Sequence, residues 1–378
     1  MAESPLEVVP VRTRADHRAF LALPYTLYRG DSCWVAPLRS VERQRWSPRH
    51  NASLRARWVQ RWVARRGRRV VGRIAAVVDE AFAARWLPGA GFFGFFECEE
   101  DSEAARALFA AAEAALREQP RSHVIGPVNL TTHDEAGLLV EGFDLRPTVL
   151  SPYNPPYYVS LVEQNGYRPY RDYLAYLWRP RQSQSEAISR LERAAARRAG
   201  LFAQVAVRAA DPARWDAEVK TLHALYNASF ADLWGFVPIS LVEFGERAES
   251  FRPFFRPELL IIAEVEGRAV GFALLLPDIN EVLARLRGRL LPFGWLRLLR
   301  GIPRIRSGRF ILMGVLPEFS SRGLAPVIAA EVQAAGRRLG MDPVEISLVA
   351  GANRRMRHVI EAFGCPRTKT FRLYEKTL

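Results

Sequence analysis

Cysteine is scarce in this sequence, and its absence removes whole classes of protein. Only Cys33, Cys98 and Cys365 occur in 378 residues, scattered with no metal-ligand spacing. That excludes a disulfide framework and a cysteine metal cluster, and it points to a reducing compartment. Long apolar runs are missing too: none approaches the ~18 residues that a membrane span needs. The opening stretch MAESPLEVVPVRTRADH has no apolar core preceded by basic residues, so a cytoplasmic chain is expected. Disordered and collagenous classes are excluded by a composition of 49% hydrophobic, 11% aromatic and 25% charged residues. What is present is length and positive charge. The length exceeds one ordinary core and predicts two domains. The net charge of +14, mostly arginine, predicts an anionic partner: phosphate, lipid headgroup or nucleic acid. Arginine beside abundant alanine equally fits genome composition. The nucleic-acid reading rests on charge alone, because the sequence shows no recognition helix or aromatic RNA-binding motif.

The chain contains its own repeat. Arg66 to Asp79, RGRRVVGRIAAVVD, returns in outline from Glu266 to Asp278 as EGRAVGFALLLPD. Each is a charged turn, Val-Gly, an apolar strand and an Asp, which predicts β-hairpins pairing Trp58–Ala64 with Val70–Val78 and Leu259–Val265 with Ala269–Leu276. Asn154 to Trp178 matches Asn353 to Lys376 in the same way: an Asn, a short amphipathic helix, a Gly stop and an extended aromatic segment. The pairs Gly72/Gly271 and Asn154/Asn353 are both separated by 199 residues. Two matches at one offset predict tandem domains, 1–180 and 181–378, divided in the polar stretch Arg179 to Ser185. The second would open with a basic helix at Glu186–Ala199, a strand at Phe202–Val207 and a helix at Ala213–Phe230. The predicted class is α+β, layered, with mostly antiparallel mixed sheets flanked by helices.

In the second copy a strand, Phe310 to Val315, leads through Leu316, Pro317, Glu318 and Phe319 into Ser320-Ser321-Arg322-Gly323-Leu324-Ala325 and a helix, Pro326–Leu339. Val344–Val349 and Asn353 follow as the next strand and helix start. A glycine turn entering a helix presents unpaired N–H groups and the positive end of the helix dipole, which suits a pyrophosphate. Gly323 permits close backbone approach and Arg322 adds charge. This pattern resembles the GCN5-related N-acetyltransferase (GNAT) family, whose loop reads Gln/Arg-x-x-Gly-x-Gly/Ala after a strand ending Val-x-Pro. Ser320 departs from it at the first loop position. The resemblance implies acyl-CoA as co-substrate, acetyl or long-chain, held by Val315, Leu316, Ser320, Ser321, Arg322, Gly323, Leu324, Ala325 and Asn353, with no metal. The first copy resembles the same fold without the loop. Its strand Phe92–Phe96 runs into Glu97, Cys98, Glu99, Glu100 and Asp101 before a helix at Glu103–Leu116, and carboxylates there repel phosphate. It is expected to be a degenerate partner on the substrate side.

The motifs GFFGFFE (Gly91–Glu97), GP-x-N-x4-DE-x-GLL-x2-GF (Gly126–Phe143) and YNPPYY (Tyr153–Tyr158) extend the resemblance to bacterial tandem GNAT-like proteins over nearly the whole chain. Bacterial ceramide synthases, which acylate a long-chain amino base, are similar in class. The activity implied is acyl transfer from acyl-CoA, or from acyl carrier protein with the same phosphopantetheine arm, to a primary amine. A sphingoid base is one acceptor; a small metabolite or a protein lysine are others, and a non-catalytic acyl-CoA or membrane-surface binding protein is the alternative from another class.

Acyl transfer to an amine needs a base, a polarising group for the thioester carbonyl and a proton for the thiolate. Many GNAT enzymes use a Tyr four residues before the helix-ending Gly; Ile360 stands there. The richest polar stretch is Asn129 to Glu135, between a strand at His123–Ile125 and the apolar Gly137–Val140. His133 there is a candidate base, with Asp134 or Glu135 to orient it. The plainer reading is that Thr132 or Asp134 caps a short helix with Glu135 in its first turn. His358 reads as a solvated surface residue. Tyr153, Tyr157 and Tyr158 fit a channel wall or core packing equally. Pro277 to Arg309 carries eight arginines and, after Glu281, no acid, interleaved with Leu290, Leu291, Phe293, Trp295, Leu296, Leu298 and Leu299. That reads as an interfacial segment on anionic lipid, placing the chain peripherally on the inner membrane face, or as an insertion packing its apolar side on the domain.

Overall fold

The structure is a computed structural model and describes residues 4–179, 205–320 and 323–378. The predicted helix Glu186–Ala199, most of the boundary stretch and the loop residues Ser321 and Arg322 lie outside the described residues. The chain forms two compact units: Met1–Tyr173 with Arg287–Arg289 and Lys369–Leu378, and Leu174–Leu286 with Leu290–Thr368. The C-terminal ten residues are thus counted with the first unit.

In the first unit, β1 (Leu6–Pro10), β2 (Trp58–Arg66), β3 (Arg69–Val78), β4 (Ala90–Cys98) and β5 (His123–Gly126) lie side by side in that order, and β6 (Leu138–Glu141) follows in sequence. The helices are α1 (Arg14–Leu27), α2 (Arg39–Arg45), α3 (Ala52–Arg55), α4 (Glu80–Arg85), α5 (Ser102–Glu118) and α6 (Tyr157–Gln164). The core packs α5 onto the sheet. Alanines and leucine favour that helix, and Ala104, Ala105, Leu108, Phe109, Ala112 and Leu116 recur at helical spacing on its buried face. β7 (Arg168–Trp178) closes this half of the sequence.

In the second unit, β8 (Val205–Ala209), α7 (Trp215–Ser229) and α8 (Leu241–Phe251) precede the hairpin β9 (Leu260–Val265) and β10 (Arg268–Pro277). After an insertion holding α9 (Asn280–Leu283) and α10 (Gly294–Gly301) come β11 (Gly308–Val315), the single turn α11 (Pro317–Ser320), α12 (Leu324–Arg338), β12 (Val344–Ala350) and α13 (Arg354–Ala362). The strands lie in the order β12-β11-β10-β9-β8. β13 (Arg367–Thr377) ends the chain, and its residues Thr370 to Thr377 pair with β6 and β5. Lys376 Nζ donates to Glu113 Oε1 at 2.7 Å and Arg372 meets Asp172 at 2.7 Å.

The repeat read from the sequence is visible atom by atom. In both hairpins the residue before the repeated glycine, Val71 or Val270, is skipped in the ladder as a bulge. An added Cβ on Gly72 would lie 2.6 Å from Leu108 of α5, and one on Gly271 would lie 2.7 Å from Ile328 of α12. Each glycine lets the helix after the central strand settle onto the sheet. The Asn repeat is only half alike. Asn353 caps α13, its Oδ1 accepting from Met356 N–H at 3.1 Å. Asn154 does not cap α6. Pro156 holds that place without a side-chain bond, while Asn154 pairs with both main-chain groups of Leu139 at 2.7 and 3.1 Å. Being buried, its amide needs those partners more than the helix needs a cap. The predicted capping role for Asn154 is corrected accordingly.

Gly94 shows how tight the first unit is. A Cβ there would sit 2.1 Å from the carbonyl oxygen of Val128, a backbone atom that cannot swing away. Gly94→Ala is therefore expected to cost about 1–3 kcal/mol by overpacking, read as a lower denaturant midpoint with an unchanged m-value.

Candidate functional site

The two units build the same gap in two ways. Central strand and following parallel strand pair over three residues only: Ala90 to Phe92 with His123 to Ile125, and Gly308 to Phe310 with Val344 to Ile346. Beyond that point the strands part, because the central one carries a bulge, at Phe95/Phe96 opposite Ile74 in the first unit and at Ile311 in the second. Parted strands leave main-chain N–H and C=O groups that must find partners.

In the first unit the chain supplies them itself. After β5 it turns back into the gap: Val128 N–H donates to Phe93 O at 2.8 Å and Phe95 N–H donates to Asn129 Oδ1 at 2.7 Å. Asn129 N–H and Gly137 N–H close the turn onto Glu135 O and Pro127 O at 3.0 and 2.9 Å. β4 is buried from Ala90 to Phe96. The N-terminus of α5 is also taken, since Asp101 accepts from Ala104 N–H at 2.9 Å and Arg66 bridges Asp101 and Glu103.

In the second unit β12 runs on to Ala350, and Ile311, Leu312 and Met313 are only partly buried. α12 begins at Gly323, whose φ of +80° lies in the left-handed region that glycine adopts without strain, and its first turn holds no acid. The N–H groups of Gly323, Leu324 and Ala325 head the helix, while Pro326 has none. Leu316 is buried, with its N–H on Val270 O at 2.9 Å, and Ser320 Oγ donates to Leu316 O at 3.2 Å. A turn of helix, α11, thus stands between strand and loop where an open loop was expected. The residues of this gap fit an extended arm with amide groups that ends in a pyrophosphate. Ile360, in the position of the usual tyrosine, is 5% exposed and packs with Leu174, Tyr176, Val349 and Cys365. His358 is exposed.

His133, Asp134 and Glu135 lie in a turn, with no helix for Thr132 or Asp134 to cap. Thr131, fully buried, organises it. Its hydroxyl donates to Asp134 Oδ2 at 3.2 Å and accepts from His133 N–H at 3.0 Å. Glu135 is engaged by Asn129 Nδ2 at 3.0 Å and by both terminal nitrogens of Arg45 at 3.3 and 3.4 Å. Burial would lower the Arg45 pKa, but Glu135, Glu42 and Asp134 outweigh it and hold the guanidinium firmly charged.

Sequence reasoning missed a second cluster. Glu97, last of GFFGFFE, is 14% exposed and accepts from Tyr28 Oη at 2.7 Å and Tyr158 Oη at 2.8 Å, with Arg73 at 3.4 Å. Burial raises the Glu97 pKa above the usual carboxylate range, against the pull of Arg73 and the two phenols. Tyr158 Oη also accepts from Cys98 N–H, and Tyr157 Oη donates to Cys98 O, both at 2.8 Å. The tyrosines of YNPPYY therefore clamp the end of β4, and Tyr153 donates to Asp31 at 2.8 Å. Two motifs quoted separately meet at one carboxylate. Their shared presence was the only signal; Tyr28 gave none. By register, Glu97 opposite Arg73 corresponds to Gly314 opposite Phe272 in the second unit.

A doubled sheet-and-helix unit with this gap is the fold of a tandem GNAT protein. The tandem GNAT protein from the clavulanic acid biosynthesis pathway superposes with a TM-score of 0.56 over 99% of this chain and 98% of that one, at 14% identity. A GCN5-related N-acetyltransferase from Sphaerobacter thermophilus gives 0.54 over 99% and 96%, also at 14%. No family model matches the chain. Among curated proteins, the bacterial ceramide synthase of Caulobacter vibrioides is 36% identical over 381 residues, 99% of this chain and 98% of that one. Protein YghO of Escherichia coli is 33% identical over 371 residues, 96% and 93%. The chain belongs to the bacterial ceramide synthase family, a family of acyltransferases.

Proposed function

We propose that this protein is an N-acyltransferase that moves an acyl group from an acyl-CoA, or from the phosphopantetheine arm of acyl carrier protein, to the primary amine of a long-chain lipid base such as a sphingoid base. The observation that carries the donor side is the parting of β11 from β12 in the second unit, with partly buried Ile311 to Met313 leading to the glycine-headed α12. The acceptor rests on the relative's name. Main-chain groups of β11 beyond Phe310 would pair with the amides of the arm and polarise the thioester carbonyl. The N–H groups of Gly323, Leu324 and Ala325 would face the pyrophosphate, with Val315 and Leu316 fixing the strand end. Ser320, Ser321 and Arg322 would border it. Asn353 would shape the start of α13.

In the reaction the ammonium loses a proton to a base, the amine attacks the thioester carbon, the C–S bond breaks and the thiolate takes a proton. His133 is our candidate base, with Asp134 and Glu135 holding its turn; Glu97, with its raised pKa, is the competing carboxylate. His133→Ala is expected to lower kcat by about 10²–10⁴-fold at unchanged thioester affinity, and an unchanged kcat moves the role elsewhere. Thiol release from acetyl-CoA, palmitoyl-CoA and acyl carrier thioesters, with and without a sphingoid base, tests the reaction. Turnover with acetyl-CoA and small amines or lysine alone would select those acceptors. No release with any pair would leave a non-catalytic acyl-CoA binder, the reading that Ile360 and Ser320 favour.

A further inference from the structure

The insertion between β10 and β11 is an ordered lobe whose base is fastened and whose tip is greasy. Ile279, Val282, Leu286 and Ile305 are buried. Glu281 accepts from Ser307 N–H at 2.6 Å, and Arg256 Nη2 donates to the carbonyls of Ile302, Pro303 and Ile305 at 3.3–3.4 Å. Those contacts use up the packing expected of an insertion folded onto its domain. The tip does not share in it: Leu291 is 78% exposed, Phe293 70%, Trp295 47% and Leu299 61%. On α10, Trp295 and Leu299 are one turn apart on one face, while Arg297 and Arg300 lie on the other. Arg297, Arg300, Arg304 and Arg306 are exposed, and among the described residues none of them forms an ion pair. No Asp or Glu occurs between Glu281 and Glu318.

Four large apolar side chains held out to water, in an insertion whose exposed arginines form no ion pair among the described residues, match one kind of surface. We infer that this lobe docks the protein on an anionic lipid bilayer, with Leu291, Phe293, Trp295 and Leu299 entering the acyl boundary and the arginines meeting lipid phosphates. A protein partner would present acids that need answering bases at fixed places, whereas a lipid surface tolerates a diffuse ring of arginines. Docking would bring the second unit to the phase in which lipid amines reside, but it requires neither turnover nor thioester, so its test stands apart from that of the acyltransferase.

The test is flotation of the full-length chain with vesicles of phosphatidylcholine, with and without phosphatidylglycerol, at low and high salt. Binding is expected only with phosphatidylglycerol, and to weaken with salt. Each arginine near the surface strengthens binding roughly fivefold, so Arg297, Arg300, Arg304 and Arg306→Gln together should weaken it by roughly three orders of magnitude. Replacing Leu291, Phe293, Trp295 and Leu299 by Ser should abolish flotation at an unchanged melting temperature, since these side chains support no core. Three results would overturn the inference: no flotation of the parent protein, equal flotation of the serine variant, or a parent dimer that the serine variant dissolves while vesicles go unbound. The last would make the face a contact between copies.

Discussion

Gly323→Asp is expected to weaken acyl-CoA binding by two to three orders of magnitude while leaving the fold intact. Gly323 heads α12 with φ at +80°, and Asp is among the few residues that tolerate this region. A carboxylate at a helix N-terminus also favours the helix itself. Stability should therefore change little. The pyrophosphate would meet a negative charge where it now meets N–H groups. A like charge at ~4 Å costs about 4 kcal/mol at an effective dielectric of ~20, which is roughly a thousandfold in affinity. Titration calorimetry with palmitoyl-CoA reads the loss directly. Gly323→Ala, which brings strain without charge, should lose far less. Equal affinity of the Asp variant and the parent would refute this helix start as the donor site.

Glu97→Ala should destabilise the first unit by about 3–5 kcal/mol, the cost of leaving a buried charge without its partner. The change strips the acceptor from Tyr28 Oη, Tyr158 Oη and Arg73 together, three groups reaching it from the residue after α1, from α6 and from β3. Glu97→Gln keeps an acceptor for the phenols and should cost less. The pH dependence has a definite sign. Because the folded pKa of Glu97 lies above the usual carboxylate value, its contribution to stability is complete at low pH and is lost as pH rises through the folded value. The Gln variant should therefore show a flatter decline in stability across that interval. Urea melts at several pH values measure both effects, and a Glu97→Ala midpoint equal to the parent's would show that the cluster holds nothing together.

Much of the fold was legible because it is local. Hairpins announced by Gly between apolar runs, α5 and α12 announced by apolar spacing, and the cap at Asn353 all depend on residues within a few positions of one another. The candidate site was legible only in part. Gly323 and its helix carry a local signature. The Glu97 cluster does not: Tyr28 and Tyr158 reach it from 69 and 61 residues away, and no spacing rule marks such partners. Asn154 misled for the same reason, its sequence context promising a cap while a strand 15 residues away claimed its amide.

Sequence alone determined that there are two copies of one unit, which runs pair in each hairpin, and that a glycine at 323 precedes a helix. The tertiary structure decided what each copy does with its gap. Asn129 and Val128 turn back to satisfy the parted strand of the first unit, and in the second that strand is only partly buried. It also decided that the last strand completes the first unit. Alternating apolar residues such as Phe371 and Leu373 suit a strand of either unit, and the ladders with β5 and β6 together with the partners Glu113, Glu163 and Asp172 choose between them. Acidic residues after β4 predicted only that the first copy would repel phosphate; that its own chain fills its gap needed the coordinates, because Asn129 meets Phe95 from 34 residues away.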